Sequence, residues 1–95
     1  MEHDRLNTSM KRLIIDVREP EEYAKKHVKN AINISPEDFL KGAKQLSGVP
    51  KDTEIILYCI SGSRSNVAMN ILISIGFTNT VNGTNVRHVE AKYTD

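Results

Sequence analysis

Cysteine is scarce in this 95-residue chain, which contains one, Cys59, together with three scattered histidines. A lone cysteine cannot form an internal disulfide, and no Cys or His spacing in the sequence is typical of a metal site. We therefore expect no disulfide, no metal and no organic cofactor. In a reducing cytoplasm such a thiol stays free, so Cys59 has either a packing role or a chemical one.

Excess charge and long apolar segments are also missing. The formal net charge is +1, and no cluster of lysine and arginine carries interleaved aromatic residues, as a nucleic-acid-binding surface would. The longest apolar runs are far too short to span a bilayer, and the first twelve residues lack the apolar core of a signal peptide. The sequence predicts no nucleic-acid partner, no membrane association and a cytoplasmic location.

What is present is the composition of an ordinary globular protein, with 39% hydrophobic and 26% charged residues. A chain of this length is enough for one compact domain and hardly more. We therefore expect residues 1–95 to form a single domain, and we find no repeat, linker or low-complexity segment.

Short apolar segments alternate with helix signals along the chain. Strands are predicted at residues 13–17, 31–34, 54–58 and 78–82. A first helix is predicted from Pro20 to Lys26 and a second from Pro36 to about Gly48, whose one face carries Phe39, Leu40, Ala43 and Leu46. A third helix is predicted to end at a capping Gly76, and its apolar residues at helical spacing are Val67, Ala68, Ile71, Leu72 and Ile75. The tail could contain one more short helix. This alternation predicts an α/β fold with an open, mostly parallel central sheet and helices on both faces.

The segment "YCISGSRS", residues 58–65, follows the strand that reads most clearly as a central one, apolar throughout and covered on both faces. Ligands of open α/β sheets bind at the carboxyl edge, where helix N-termini present free N–H groups. Gly62 can take the positive φ that lets successive N–H groups converge on an anion, and Arg64 can offer two further donors. The same groups lower the pKa of a neighbouring thiol.

Two interpretations of Cys59 follow from this setting. Free cysteines are among the most buried residue types, so Cys59 could simply fill space at the end of a strand. The glycine and the arginine that follow it favour instead a thiolate nucleophile in an anion-binding loop, suited to anionic sulfur or phosphorus substrates. The loop serines, Ser61, Ser63 and Ser65, either donate hydroxyl hydrogen bonds to that anion or cap the following helix.

Two stretches resemble the rhodanese-like (sulfurtransferase) domain family. They are "LIIDVREPEEYAKKHVKNAINI" and "ILYCISGSRSNVAMNILISIGF", and together they cover most of residues 13–77. The resemblance implies an α/β domain with a parallel sheet between helices. It also implies that Cys59 takes a sulfane sulfur from a small anionic donor such as thiosulfate, forms a persulfide, and passes the sulfur to cyanide or to a thiol, a protein thiol included.

The resemblance also assigns roles to further residues. The backbone from Ile60 to Ser65 would cradle the anion and the persulfide, and Arg64 would hold the sulfonate part of the donor. Asp16 and Arg18 match the Asp-Val-Arg signature of the family. We expect Asp16 to support the structure and Arg18 to contact the substrate. His27 and Tyr58, which also match family positions, are expected to pack.

Loop length and the two ends of the chain qualify this resemblance. Four residues separate Cys59 from Arg64, which gives the six-residue loop that the family associates with sulfur transfer, whereas related phosphatases have a loop one residue longer. A regulatory or persulfide-carrier module remains an alternative, and a phosphatase or arsenate reductase on the same scaffold is a weaker one. The short segment before Leu13 predicts a shortened N-terminal layer, and the tail lacks the usual double glycine and tryptophan.

Overall fold

The structure, a computed structural model, describes residues 12–94. Strands and helices alternate along these residues, as the sequence predicted. The strands are β1 (Arg12–Asp16), β2 (Ile32–Asn33), β3 (Glu54–Cys59) and β4 (Thr80–Asn85). The α-helices are α1 (Pro20–Lys25), α2 (Pro36–Leu40), α3 (Ser63–Ser74) and α4 (Val86–Tyr93), and a short 3-10 helix covers Lys44–Leu46.

The four strands form one sheet in the order β2-β1-β3-β4, and every neighbouring pair is parallel. The α/β prediction is therefore confirmed. All carboxyl ends of the strands lie at the same edge, where the segments that leave β1, β3 and β4 meet. Within residues 12–94, no helix has the length and apolar character needed to cross a membrane.

Alternate residues of β3 enter two cores, one on each face of the sheet, because successive side chains of a strand point in opposite directions. Ile55 and Leu57 pack in the core that contains Phe39 of α2 and Leu72 of α3. Ile56 and Tyr58 pack in the second core, with Val28, Val89 of α4 and the partly buried Tyr23 of α1. Helices therefore cover both faces, and β3 is fixed from both sides before it delivers Cys59 to the edge.

The prediction of one helix from Pro36 to about Gly48 was wrong. Helix α2 ends at Leu40, because the backbone turns left-handed at Gly42 (φ 100°) and Ala43 (φ 50°) and continues as the 3-10 helix. The break rotates the following residues relative to α2. Leu40, which was expected to share the core face with Phe39, lies before the break and is 76% exposed.

Helix α3 buries a narrower face than its apolar spacing predicted. Ala68 and Leu72 are buried, but Val67 and Ile75 are 55% and 43% exposed. Gly76, with a φ of 110°, ends the helix as expected. The predicted last strand begins two residues later and extends to Asn85. The predicted shortening of the N-terminal layer concerns residues that lie outside the described part of the chain.

Candidate active site

Cys59 is the last residue of β3, and its thiol lies beneath the loop that leads into α3. Sγ accepts hydrogen bonds from the backbone N–H of Gly62 at 3.1 Å and of Ser65 at 3.4 Å. The hydroxyl oxygen of Ser65 lies 3.5 Å from Sγ. Because the residue is only 1% exposed, a reactant must approach the sulfur through the rim of this loop.

Gly62 makes this geometry possible. It is the N-cap of α3 and has a φ of 96° and a ψ of −10°, the left-handed conformation that was expected for it. A Cβ at this position would meet Thr84 Cγ2 at 3.5 Å, which is an ordinary van der Waals contact. Backbone conformation, and not lack of space, therefore makes glycine the fitting residue here.

The surroundings of Cys59 act on its pKa in opposite directions. Burial raises the pKa, since a thiolate loses solvation, but hydrogen bonds from Ser65, both hydroxyl and N–H, and from the N–H groups of Gly62 and Ser61 lower it. The combined effect of the hydrogen bonds exceeds that of burial, and the pKa falls from 9.0 to about 7. Roughly half of the thiol is thus a thiolate at neutral pH.

The loop residues of the predicted site divide into buried and exposed ones. Ser65 is fully buried, and its hydroxyl points into the structure. Ser61 and Ser63 are exposed, with their hydroxyl oxygens 3.2 Å apart. Ile60 projects from the loop and is 59% exposed. The structure therefore brings Cys59 together with the backbone of residues 61–65 and with one of the three serine hydroxyls.

Asn82 of β4, which the sequence interpretation missed, fixes the loop from the neighbouring strand. Its amide nitrogen donates to the carbonyl of Gly62 at 2.9 Å. Its amide oxygen accepts from the Ser65 hydroxyl at 2.7 Å and from the N–H of Thr84 at 3.0 Å. The only sequence signal for this role is the position of Asn82 in the strand expected beside the central one.

Arg64, the expected cation of the site, pairs with a carboxylate. Its Nη1 and Nη2 atoms lie 3.1 and 3.4 Å from the two carboxylate oxygens of Glu22, on α1. The Glu22 hydrogen bond is the main cause that raises the pKa of Arg64, with a further contribution from the charge of Cys59. The sequence placed Glu22 only as an acid at a helix N-terminus, where the helix dipole favours it.

Asp16 and Arg18 form a buried pair at the end of β1. The Asp16 carboxylate is fully buried and accepts from Nε of Arg18 at 2.9 Å, from its Nη2 at 2.7 Å and from the Tyr58 hydroxyl at 2.7 Å. Arg18 also donates to the carbonyl of Lys26. Within residues 12–94 the guanidinium hydrogen bonds go to these two partners, so a substrate contact for Arg18 stays a prediction.

Tyr58 and His27 make packing contacts. The Tyr58 hydroxyl, besides donating to Asp16, accepts from the N–H of Val28 at 3.0 Å, and burial raises its pKa. The His27 ring stacks on Tyr23 with centroids 3.7 Å apart. Within residues 12–94, neither side chain hydrogen-bonds to the Cys59 loop.

A cavity of about 750 Å³ lies at the amino end of β1, lined by Arg12, Ile14, Tyr93 and their neighbours, and is therefore at the opposite edge of the sheet from Cys59. Residues 12–94 contain no group of three or more His, Cys, Asp or Glu side chains able to hold a metal ion.

The Cys59 thiol accepts hydrogen bonds from loop N–H groups at the carboxyl edge of a parallel sheet. This arrangement places the chain among the α/β proteins that have a cysteine inside an anion-binding loop. A family profile described as "Rhodanese-like domain" matches residues 2–90. The chain belongs to this family.

Individual relatives agree with the family match. The chain is 38% identical over 79 residues to a thiosulfate:glutathione sulfurtransferase of Saccharomyces cerevisiae, covering 72% of this chain and 56% of the relative. It is 37% identical over 78 residues to the thiosulfate sulfurtransferase PspE of Escherichia coli, covering 79% and 71%. The structure matches a solved "rhodanese with anions from E. coli" with a TM-score of 0.71 and 32% identity, covering 81% of this chain and 89% of that one.

Proposed function

We propose that this protein is a rhodanese-type sulfurtransferase, which moves a sulfane sulfur from an anionic donor such as thiosulfate to a thiophilic acceptor through a persulfide on Cys59. The observation that supports it most directly is the thiol with a pKa of about 7 beneath a loop of converging N–H groups. Two relatives at 37–38% identity are named as thiosulfate sulfurtransferases.

In the first half-reaction the Cys59 thiolate attacks the outer sulfur of thiosulfate. A new S–S bond forms, the bond between the outer sulfur and the sulfonate breaks, and sulfite leaves with the bonding electron pair. The terminal sulfur of the persulfide keeps the negative charge that it carried in thiosulfate, and sulfite leaves as a dianion. No external oxidant or reductant is needed, because each bond that breaks is replaced by one of the same kind.

Loop N–H groups would stabilise the charge at each stage. In the resting protein, the N–H groups of Gly62 and Ser65 donate to Sγ. After transfer we expect the backbone of residues 60–65 to donate to the terminal sulfur, which then carries the charge. We expect Arg64 and the exposed hydroxyls of Ser61 and Ser63 to engage the sulfonate of the donor.

In the second half-reaction a nucleophilic acceptor attacks the terminal sulfur and Cys59 leaves as the thiolate. Cyanide gives thiocyanate, and a thiolate gives a new persulfide. Because the thiolate is regenerated at a pKa of about 7, it is a good leaving group at neutral pH. A thiol acceptor, small or on a protein, suits the cytoplasmic location that we propose for a chain with one unpaired cysteine.

The test is steady-state turnover of thiosulfate with cyanide or a small thiol as acceptor, followed by the release of sulfite. We expect wild-type protein to turn over, Cys59→Ser to be inactive, and Arg64→Ala to have a raised KM for thiosulfate. Turnover that survives in Cys59→Ser contradicts the mechanism. Persulfide formation without any turnover would favour a carrier, and hydrolysis of an aryl phosphate in place of sulfur transfer would favour the phosphatase alternative.

A further inference from the structure

The ion pair between Arg64 and Glu22 joins the Cys59 loop to helix α1. Both guanidinium terminal nitrogens face the two carboxylate oxygens, and each side chain is 32% exposed. The pair therefore lies at the rim of the loop, where a donor must pass. An anion that approaches the thiol meets a cation whose charge is already balanced.

Glu22 is held in this position by its own helix. Its Oε1 atom accepts a hydrogen bond from the N–H of Glu19, the N-cap of α1, at 2.8 Å. This is one half of a capping box, and it orders the carboxylate before any substrate binds. The same oxygen is the one that lies 3.1 Å from Nη1 of Arg64, so the cap of α1 fixes the partner of the loop arginine.

The second arginine of the region does not restore a positive charge. Arg18 is paired with the buried Asp16 at 2.7 Å. The two backbone N–H groups that donate to Sγ are neutral, and so is the hydroxyl of Ser65 that lies 3.5 Å from it. The groups that donate to Sγ and the Arg64–Glu22 pair together carry no net positive charge, which favours an anion of low charge over a dianion.

We propose that Glu22 is a specificity-determining residue, which by neutralising Arg64 at the rim of the Cys59 loop disfavours doubly charged sulfur donors relative to singly charged ones of similar shape. The proposal rests on the proposed function for its choice of substrates. Its physical basis is that the repulsion between a carboxylate and a donor scales with the charge of the donor, whereas shape and hydrogen bonding do not.

Thiosulfate and methanethiosulfonate are suitable probes, because both carry a transferable outer sulfur on a sulfonyl group and they differ by one unit of charge. Glu22→Gln keeps an oxygen that can accept from the N–H of Glu19 and removes the charge. Glu21→Gln is the matched control, since it makes the same change at the adjacent, exposed position of α1.

We expect Glu22→Gln to raise kcat/KM for thiosulfate about threefold more than kcat/KM for methanethiosulfonate, as one unit of charge at a partly exposed and screened site would do. Glu21→Gln should leave the ratio within about 1.5-fold of wild type, because the charge of this exposed residue is more strongly screened. An unchanged ratio in Glu22→Gln overturns the proposal. So does a fall in kcat/KM for both donors, which would mean that Glu22 only orients Arg64.

A second measurement does not depend on sulfur transfer. The rate constants for alkylation of Cys59 by iodoacetate and by iodoacetamide differ through the charge of the reagent, and their ratio cancels any change in the thiolate fraction. We expect this ratio to rise about threefold in Glu22→Gln and to stay unchanged in Glu21→Gln. If wild-type protein transfers no sulfur, the proposed function fails, yet the alkylation ratio still decides whether Glu22 selects by charge.

Discussion

The hydroxyl of Ser65 lies 3.5 Å from the Cys59 thiol and lowers its pKa, so its removal should raise the pKa of Cys59. Ser65→Ala keeps the backbone N–H that lies 3.4 Å from Sγ and deletes only the hydroxyl. The single proton of this hydroxyl is donated to the amide oxygen of Asn82 at 2.7 Å, and we expect it to turn to Sγ when Cys59 ionises, because that amide oxygen keeps the N–H of Thr84 as a donor at 3.0 Å. Ser65→Ala also removes a 3.2 Å contact to the carbonyl of Gly62, which keeps the amide nitrogen of Asn82 as a donor at 2.9 Å, so the main change is at the thiolate.

The size of the effect follows from the strength of one hydrogen bond to a charged group. Such bonds contribute about 1.5–3 kcal/mol, and at 3.5 Å the lower end applies, which is about one pKa unit. The midpoint of Cys59 should move from about 7 to roughly 8. At pH 7 the thiolate fraction should then fall about fivefold.

The assay is the rate of alkylation by iodoacetamide between pH 5.5 and pH 10, fitted to a single ionisation. The midpoint is the quantity to compare, because the plateau at high pH also changes with the nucleophilicity of the thiolate. Ser74→Ala, the same change at the far end of α3 on an exposed serine, is the control and should keep the wild-type midpoint. A midpoint for Ser65→Ala within about 0.2 units of wild type would refute the reasoning.

Three further predictions concern stability. The lowered pKa of Cys59 stabilises the folded state fully at pH values above 9, the ordinary pKa of the thiol, and this stabilisation is lost as the pH falls through about 7. In urea unfolding, the free energy of unfolding of wild type should therefore rise by about 2 kcal/mol relative to Cys59→Ala between pH 6 and pH 9. A difference that does not change with pH contradicts this. Thr84 holds a φ of 75°, which strains a β-branched residue, so Thr84→Gly should raise the free energy of unfolding by about 1 kcal/mol, and a loss of stability would be the contrary result. Asp16 is fully buried beneath Arg18 and Tyr58, so Asp16→Asn should lower the free energy of unfolding by about 3 kcal/mol in the same assay. A loss below about 1 kcal/mol would mean that the Asp16–Arg18 ion pair is dispensable.

The fold and the centre of the site were predictable because several local signals coincide there. Continuous apolar residues predicted β3, the helical spacing after it predicted α3, and Gly62 between them has the positive φ that the loop requires. A strand, a turn and a helix that follow one another in sequence leave little freedom for the position of Cys59. The resemblance to the rhodanese-like family, confirmed by the family match, rests on the same residues.

What the sequence did not predict depends on contacts between distant segments. Asn82 reaches the loop because β4 lies beside β3, and Glu22 reaches Arg64 from 42 residues away. No local pattern distinguishes these residues from other polar residues on a strand or at a helix start. Leu40 is a different case, since successive residues of a helix point about 100° apart, so Leu40 faces solvent where its neighbour Phe39 faces the core.

The central claim is that Cys59 carries the transferred sulfur, and the mass of the intact protein tests it most directly. The protein is incubated with thiosulfate, freed of excess donor, weighed, and weighed again after addition of cyanide. We expect a gain of one sulfur atom per chain, its loss on cyanide treatment with formation of one equivalent of thiocyanate, and no gain in Cys59→Ser. An unchanged mass in the wild-type protein at saturating thiosulfate, or an equal gain in Cys59→Ser, would contradict the account.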